Sequence, residues 1–193
     1  MEFTGERVVP WSEGMKDWAW VLDHHLHRYL WALGYCVDKY VTDLGCGAGY
    51  GTFILSFLAK DTIGIDISHE AVNFANEHFR ALNLVYGYSP AEHNPNGADV
   101  YTCFEVLEHV DDPTPIVEQA RKWKLGDAIF LGSIPVSDPG RFHKRVYTAE
   151  EIKTLVESWG HAEFFIQTAD GYIYPEGMAS LSDAKYVLFK LDL

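Results

Sequence analysis

The stretch VTDLGCGAGYG, residues 41–51, sets an aspartate behind an apolar run and then places glycine at 45, 47, 49 and 51. Glycine is costly in backbone entropy, so a chain concentrates it where the main chain turns tightly or meets a ligand closely. The run follows a short β-branched segment and leads into a helical pattern, and ligands of open α/β sheets sit at such strand ends. The dinucleotide fingerprint G-x-G-x-x-G does not fit, because counting from Gly45 and Gly47 its last position is Tyr50. Asp43 also puts a carboxylate where a pyrophosphate would need to lie. The pattern favours a ligand without phosphates and with a positive charge.

The rest of the chain alternates. Runs rich in β-branched and aromatic residues at 39–43, 61–66, 84–89, 98–104, 127–135, 162–168 and 184–191 read as seven strands. Helical patterns lie between them at about 51–59, 68–82, 112–124 and 149–159, and a longer amphipathic pattern at about 13–33 precedes the first strand. Thr148 with Glu151 three residues on is a capping box opening the last of these helices. Such alternation predicts an α/β fold, a Rossmann-like doubly wound sheet with right-handed crossovers. The chain has 193 residues, 48% of them hydrophobic, and no repeat or flexible linker, so one domain is expected over 1–193. Within it, 1–35 forms an amino-terminal lid or helix and 36–193 the core.

Charge and cysteine usage exclude several classes. A balance of 15 Lys+Arg against 28 Asp+Glu, net −13, repels the phosphate backbone that dominates nucleic-acid affinity. Cys36, Cys46 and Cys103 lack C-x-x-C spacing and read as reduced thiols. The amino terminus lacks the basic and apolar regions of a secretory signal, and no apolar run reaches the length of a bilayer, so a cytoplasmic protein without membrane partners is expected. His24, His25 and His27 do not share one helical face, and no metal site is expected.

Four segments, TDLGCGAGYGT (42–52), TIGIDIS (62–68), CFEVLEHVDDP (103–113) and HKRVYTAEEIKTLVESWG (143–160), resemble in order and spacing those of the class I S-adenosylmethionine-dependent methyltransferases, in their small-molecule subgroup. The resemblance implies a seven-stranded sheet of order 3-2-1-4-5-7-6 with strand 7 antiparallel, residues 168–183 making a hairpin-like return. It implies S-adenosyl-L-methionine as cofactor, held by Asp43, Gly45, Cys46, Gly47 and Gly49 of the loop. Asp66 would take both ribose hydroxyls with Ile67 beside it, and Phe104 would close the site at the end of the fourth strand. Ser89, Ala91 and Glu92 would meet adenine, although Ser89-Pro90 departs from the aspartate or asparagine frequent there. Arg28 would reach the methionine carboxylate.

Methyl transfer to oxygen depends mostly on in-line positioning, with help from a base. His143, His109 and Glu105 are the candidates. Blander roles stay open: Asp66 as a helix N-terminal charge, Arg28 as a surface charge, His109 as a loop histidine bonded to backbone. FTGERVVP (3–10) resembles the start of methyltransferases that accompany glycosyltransferases in bacterial surface-polysaccharide clusters and in some phages, which implies a small-molecule or glycan acceptor. Trp11, Trp18, Trp20 and Tyr29 suit stacking on such an acceptor, and equally a core or lid.

Overall fold

The computed structural model describes residues 8–10 and 19–193. The segment FTGERVVP, Trp11, Trp18 and the start of the first predicted helix fall largely outside them. The elements are α1 (Ala19–Leu33), β1 (Tyr40–Leu44), α2 (Tyr50–Leu55), β2 (Asp61–Asp66), α3 (His69–His78), β3 (Leu84–Tyr88), β4 (Ala98–Phe104), α4 (Thr114–Trp123), β5 (Lys124–Pro135), α5 (Ala149–Trp159), β6 (Ala162–Gln167), β7 (Ile173–Pro175) and β8 (Tyr186–Asp192). Strands β1 to β5 pair in parallel, and β8 inserts antiparallel between β5 and β6.

The sheet has eight strands in the order 3-2-1-4-5-8-6-7, which corrects the expected seven-stranded order 3-2-1-4-5-7-6. The strand expected as the seventh is β8, in its expected place between β5 and β6. The addition is β7, an edge strand pairing antiparallel with β6 through Phe165–Pro175, Ile166–Tyr174 and Gln167–Ile173. Three residues ending in proline are too few to show a period of two, and proline is tolerated at an edge because it has no N–H to leave unpaired. Only a short 3-10 turn, Leu181–Asp183, separates β7 from β8. Without a crossover helix after β6, the chain returns antiparallel.

Burial explains the apolar character of the central strands. β4 and the second half of β5 are covered on both faces, one by α1 and α2 and the other by α4 and α5. The first face collects Tyr29, Val41, Leu55, Val100, Phe104 and Leu131, the second Tyr101, Ile116, Phe130, Ile152, Trp159 and Phe189. The three cysteines are buried free thiols. Among the described residues no helix is long and apolar enough to cross a membrane.

The capping box forms as the sequence predicts: Thr148 Oγ1 accepts from Glu151 N at 3.2 Å, and Glu151 Oε2 accepts from Thr148 N at 2.8 Å. Thr148→Ala is expected to remove about 1 kcal/mol, lowering the melting temperature by about 2–4 °C in a domain of this size. A melting curve that superimposes on wild type would show that these two bonds add nothing to the fold.

Candidate functional site

Parallel pairing brings the carboxyl ends of β1, β2 and β4 together, and the glycine loop follows directly from β1. Asp43 occupies the centre of this arrangement and is fully buried. Its Oδ1 accepts from Thr102 Oγ1 on β4, in register across the pair, at 2.6 Å. Its Oδ2 accepts from Thr52 Oγ1 of α2 at 2.6 Å and from Tyr29 Oη of α1 at 3.3 Å. Burial raises the carboxyl to about 6, against the lowering effect of these hydroxyls. Tyr29 reaches Asp43 across Gly51: a Cβ there would lie 2.0 Å from the Tyr29 ring, so the last glycine of the run serves helix packing.

The loop itself is bound to β2. Gly45 N and Cys46 N both donate to Ile65 O, at 2.8 and 2.9 Å. Gly45, Gly47 and Gly49 all have positive φ, and a Cβ on Gly45 would meet Val106 Cγ2 at 2.3 Å, so backbone conformation and close approach both require glycine there. Gly47 N donates to Asp66 Oδ2 at 2.9 Å and Ser68 N donates to Asp66 Oδ1 at 2.8 Å. Ser68 Oγ caps α3 by accepting from Ala71 N, so Asp66 joins the glycine loop to the start of α3. Ile67 beside it is 61% exposed, an apolar side chain turned to solvent at a strand end. Cys46, Ala91 and Phe104 are buried, and Ser89 N is tied to Asp66 O at 3.1 Å. Glu92 is partly exposed on the turn that follows.

Arg28 is not a surface charge. Its guanidinium is fully buried, lies 4.2 Å from the Tyr186 ring centroid, donates from Nη1 to Gln167 Oε1 at 3.0 Å and stands 3.8 Å from Glu105 Oε1. Its Nε and Nη2 have no hydrogen-bond partner among the described residues. A buried donor without a partner costs about 1–3 kcal/mol, and more when charged, so these groups fit an anionic ligand. Glu105 accepts from Ser133 Oγ at 2.8 Å and has φ +56, a left-handed backbone that residues with a Cβ rarely adopt.

A second group of side chains lies on the turn after β4. Glu108 is 1% exposed, and neither of its carboxylate oxygens has a hydrogen-bond partner among the described residues. Burial, and then the charge of Glu105, push its carboxyl well above the usual range. His109 Nε2 stands 3.8 Å and His143 Nε2 4.0 Å from Glu108 Oε1. The loop carrying His143 is held by Lys144 N and Arg145 N, which donate to Glu108 O at 2.9 and 3.3 Å. The three predicted acceptor-side residues, Glu105, His109 and His143, are thus gathered at one strand end. Sequence reasoning missed Glu108 between them, and also Tyr29, Thr52 and Thr102. A carboxylate three positions after Glu105 and next to a histidine was the available signal. His24 and His27 diverge: His24 meets Trp20 and Tyr186, His27 meets Tyr172.

Known methyltransferases resemble this chain in sequence, and solved ones resemble it in fold. Residues 42–129 match the family model described as a methyltransferase domain. A probable S-adenosylmethionine-dependent methyltransferase of Mycolicibacterium smegmatis is 27% identical over 96% of this chain and 74% of its own length. A ubiquinone biosynthesis O-methyltransferase of Methylococcus capsulatus is 36% identical over 48% of this chain, which spans under half of that enzyme, 42%. In fold, the N-methyltransferase NodS of Bradyrhizobium japonicum, solved with S-adenosyl-L-homocysteine, superimposes with a TM-score of 0.67 at 17% identity, covering 95% of this chain and 91% of NodS.

Because Asp43 titrates near 6 when folded and near 3.9 when unfolded, the folded state binds the extra proton between these values. This stabilisation is full below about pH 4 and is lost as pH rises through about 6. In urea denaturation, wild type is therefore expected to gain about 2 kcal/mol relative to Asp43→Asn between pH 7.5 and pH 4.5. A pH-independent difference between the two proteins would place the folded carboxyl at its ordinary value.

Proposed function

We propose that this chain, a class I S-adenosylmethionine-dependent methyltransferase, transfers the methyl group to an oxygen of a small-molecule or saccharide acceptor. The observation that carries the cofactor side of this reading is the buried Arg28 guanidinium, whose Nε and Nη2 lack partners among the described residues beside the glycine loop's strand ends. In the proposal these groups bind the cofactor's carboxylate, and the Asp66 carboxylate at the end of β2 takes the two ribose hydroxyls. Ile67 offers an apolar surface at the same strand end, suited to an adenine face. Gly45 and Gly47 let the ligand approach the loop's backbone. The cofactor supplies a methyl on a sulfonium, a strong electrophile that leaves a neutral thioether, so the protein's main contribution is to hold the acceptor in line.

Several observations support the acceptor side. A cavity of about 350 Å³ is bounded by Trp20, His24, Val136, Asp138 and Tyr186. Tyr186 stacks on Arg28, and the Asp138 carbonyl accepts from His143 Nδ1 at 2.9 Å, so the cavity adjoins both the proposed carboxylate subsite and the histidine loop. Its aromatic walls suit a sugar ring or a planar acceptor. Oxygen as the receiving atom is favoured by the likeness to ubiquinone biosynthesis O-methyltransferases, whose name states that chemistry. The net charge of −13 argues against a nucleic-acid acceptor. Glu105, His109 and His143 are the polar side chains proposed to face the acceptor's hydroxyl.

Two variants test the cofactor assignment by calorimetry. Asp66→Ala is expected to weaken S-adenosylhomocysteine at least about tenfold, because a bond to a charged partner contributes about 1.5–3 kcal/mol and 1.4 kcal/mol is a factor of ten. Arg28→Met is expected to weaken S-adenosylhomocysteine by a similar factor while leaving 5′-methylthioadenosine, which lacks the amino-acid carboxylate, unchanged. Equal losses for both ligands in Arg28→Met, or wild-type affinity in Asp66→Ala, would overturn the respective assignment.

A further inference from the structure

We infer that Glu108, His109 and His143 form a binding site for one divalent first-row transition-metal cation, placed to receive the acceptor's oxygen. One ligand atom from each residue lies within 4.8 Å of the others. His109 Nδ1 faces Phe142 O at 3.0 Å and His143 Nδ1 faces Asp138 O at 2.9 Å. A carbonyl only accepts, so both Nδ1 atoms carry the hydrogen and both Nε2 atoms present lone pairs. This is the outer bonding that metal-ligating imidazoles use to fix tautomer and ring direction.

Both lone-pair nitrogens face a carboxylate that is 1% exposed and has no donor among the described residues. The separations of 3.8 and 4.0 Å are too long for hydrogen bonds, and one cation placed between the three side chains would engage all of them. Metal–ligand bonds of about 2.0–2.1 Å put tetrahedral ligand atoms about 3.4 Å apart, so from separations of 3.8 and 4.0 Å to Glu108, and of no more than 4.8 Å between the imidazoles, binding asks the side chains to close by between about 0.4 and 1.4 Å. Two imidazoles with one carboxylate suit zinc, iron, cobalt or nickel better than magnesium or calcium, which prefer oxygen alone.

The inference rests on the methyltransferase reading above and deepens its acceptor side. Three protein ligands leave a coordination position open, as catalytic metal sites do. A hydroxyl oxygen bound there loses its proton more easily: the O–H bond breaks, its electron pair stays on oxygen and the proton passes to water. The imidazoles then act as ligands rather than as bases. The site joins the turn after β4 to the loop beyond β5, since the segment bearing His143 is pinned to Glu108 by backbone bonds, so the ligands meet across two parts of the chain.

The test uses tag-free protein stripped with chelator, titrated with Co²⁺ and with Zn²⁺ while S-adenosylhomocysteine binding is measured on the same samples. One equivalent of Co²⁺ is expected, with the absorption bands of a four- or five-coordinate nitrogen and oxygen site, displaced by Zn²⁺. His143→Ala and Glu108→Gln should each weaken metal at least about tenfold with cofactor-product affinity unchanged. Metal-free Glu108→Gln should melt no lower than wild type, because the carboxyl it replaces is buried without a hydrogen-bond partner among the described residues, and Zn²⁺ should raise the melting temperature of wild type alone. Should Glu108→Gln fail to fold, His143→Gln, altered only in a partly exposed loop, carries the same comparison. Binding of S-adenosylhomocysteine without stoichiometric metal would overturn this inference and leave the proposed function standing. Metal that binds equally to wild type and both variants would overturn it too, placing the ion elsewhere. Metal lost in the variants from a protein that ignores S-adenosylhomocysteine would keep the cation site and sink the methyltransferase assignment of the cofactor residues.

Discussion

A single buried carboxylate organises this domain. Asp43 sits at the centre of the sheet where water cannot solvate it, and its charge is tolerated only because hydroxyls from three other elements converge on it. Thr102 fixes β4 against β1, Thr52 fixes the first turn of α2, and Tyr29 draws α1 across Gly51. Once Tyr29 is placed, its neighbour Arg28 is carried into the space between Gln167, Tyr186 and Glu105. The helix before the sheet and the strands at its far edge are thereby fastened to the same end of the fold.

From that anchor the working groups follow the strand ends in spatial order. Asp66 closes β2, Asp43 stands within β1, Glu105 leaves β4, and the loop beyond β5 returns with His143. Carboxylates recur along this line, in keeping with an acidic chain, and the buried guanidinium of Arg28 faces them from the helix layer. Glu105 shows the cost of such crowding: its left-handed backbone turns the chain sharply just where β4 must end and the turn bearing Glu108 must begin.

What the sequence revealed was what short-range chemistry dictates. The capping box of Thr148 and Glu151, the positive-φ glycines and the acidic end of β2 are legible because each depends on residues a few positions apart. Asp43 was legible as a residue but not in its partners, which lie 9, 14 and 59 positions away and meet it only when α2 and α1 pack on the sheet and β4 pairs in register with β1. β7 was hidden because three edge residues carry no alternation. Glu108 read as one more charge of a strand-end motif, and its setting emerges only when backbone bonds from Lys144 and Arg145 bring His143 over it.

The bond from Gly47 N to Asp66 has a consequence for how a ligand arrives. A glycine-rich loop is ordinarily the most mobile part of a chain, and ordering it on binding would subtract from affinity. Here the loop is already secured at both ends of its turn, to the Ile65 carbonyl and to the Asp66 carboxylate. The residue proposed to take the ribose is the same one that stiffens the loop. Docking therefore resembles a key entering a finished lock: the incoming molecule finds its socket set and spends its contacts on being held, with little left to rearrange.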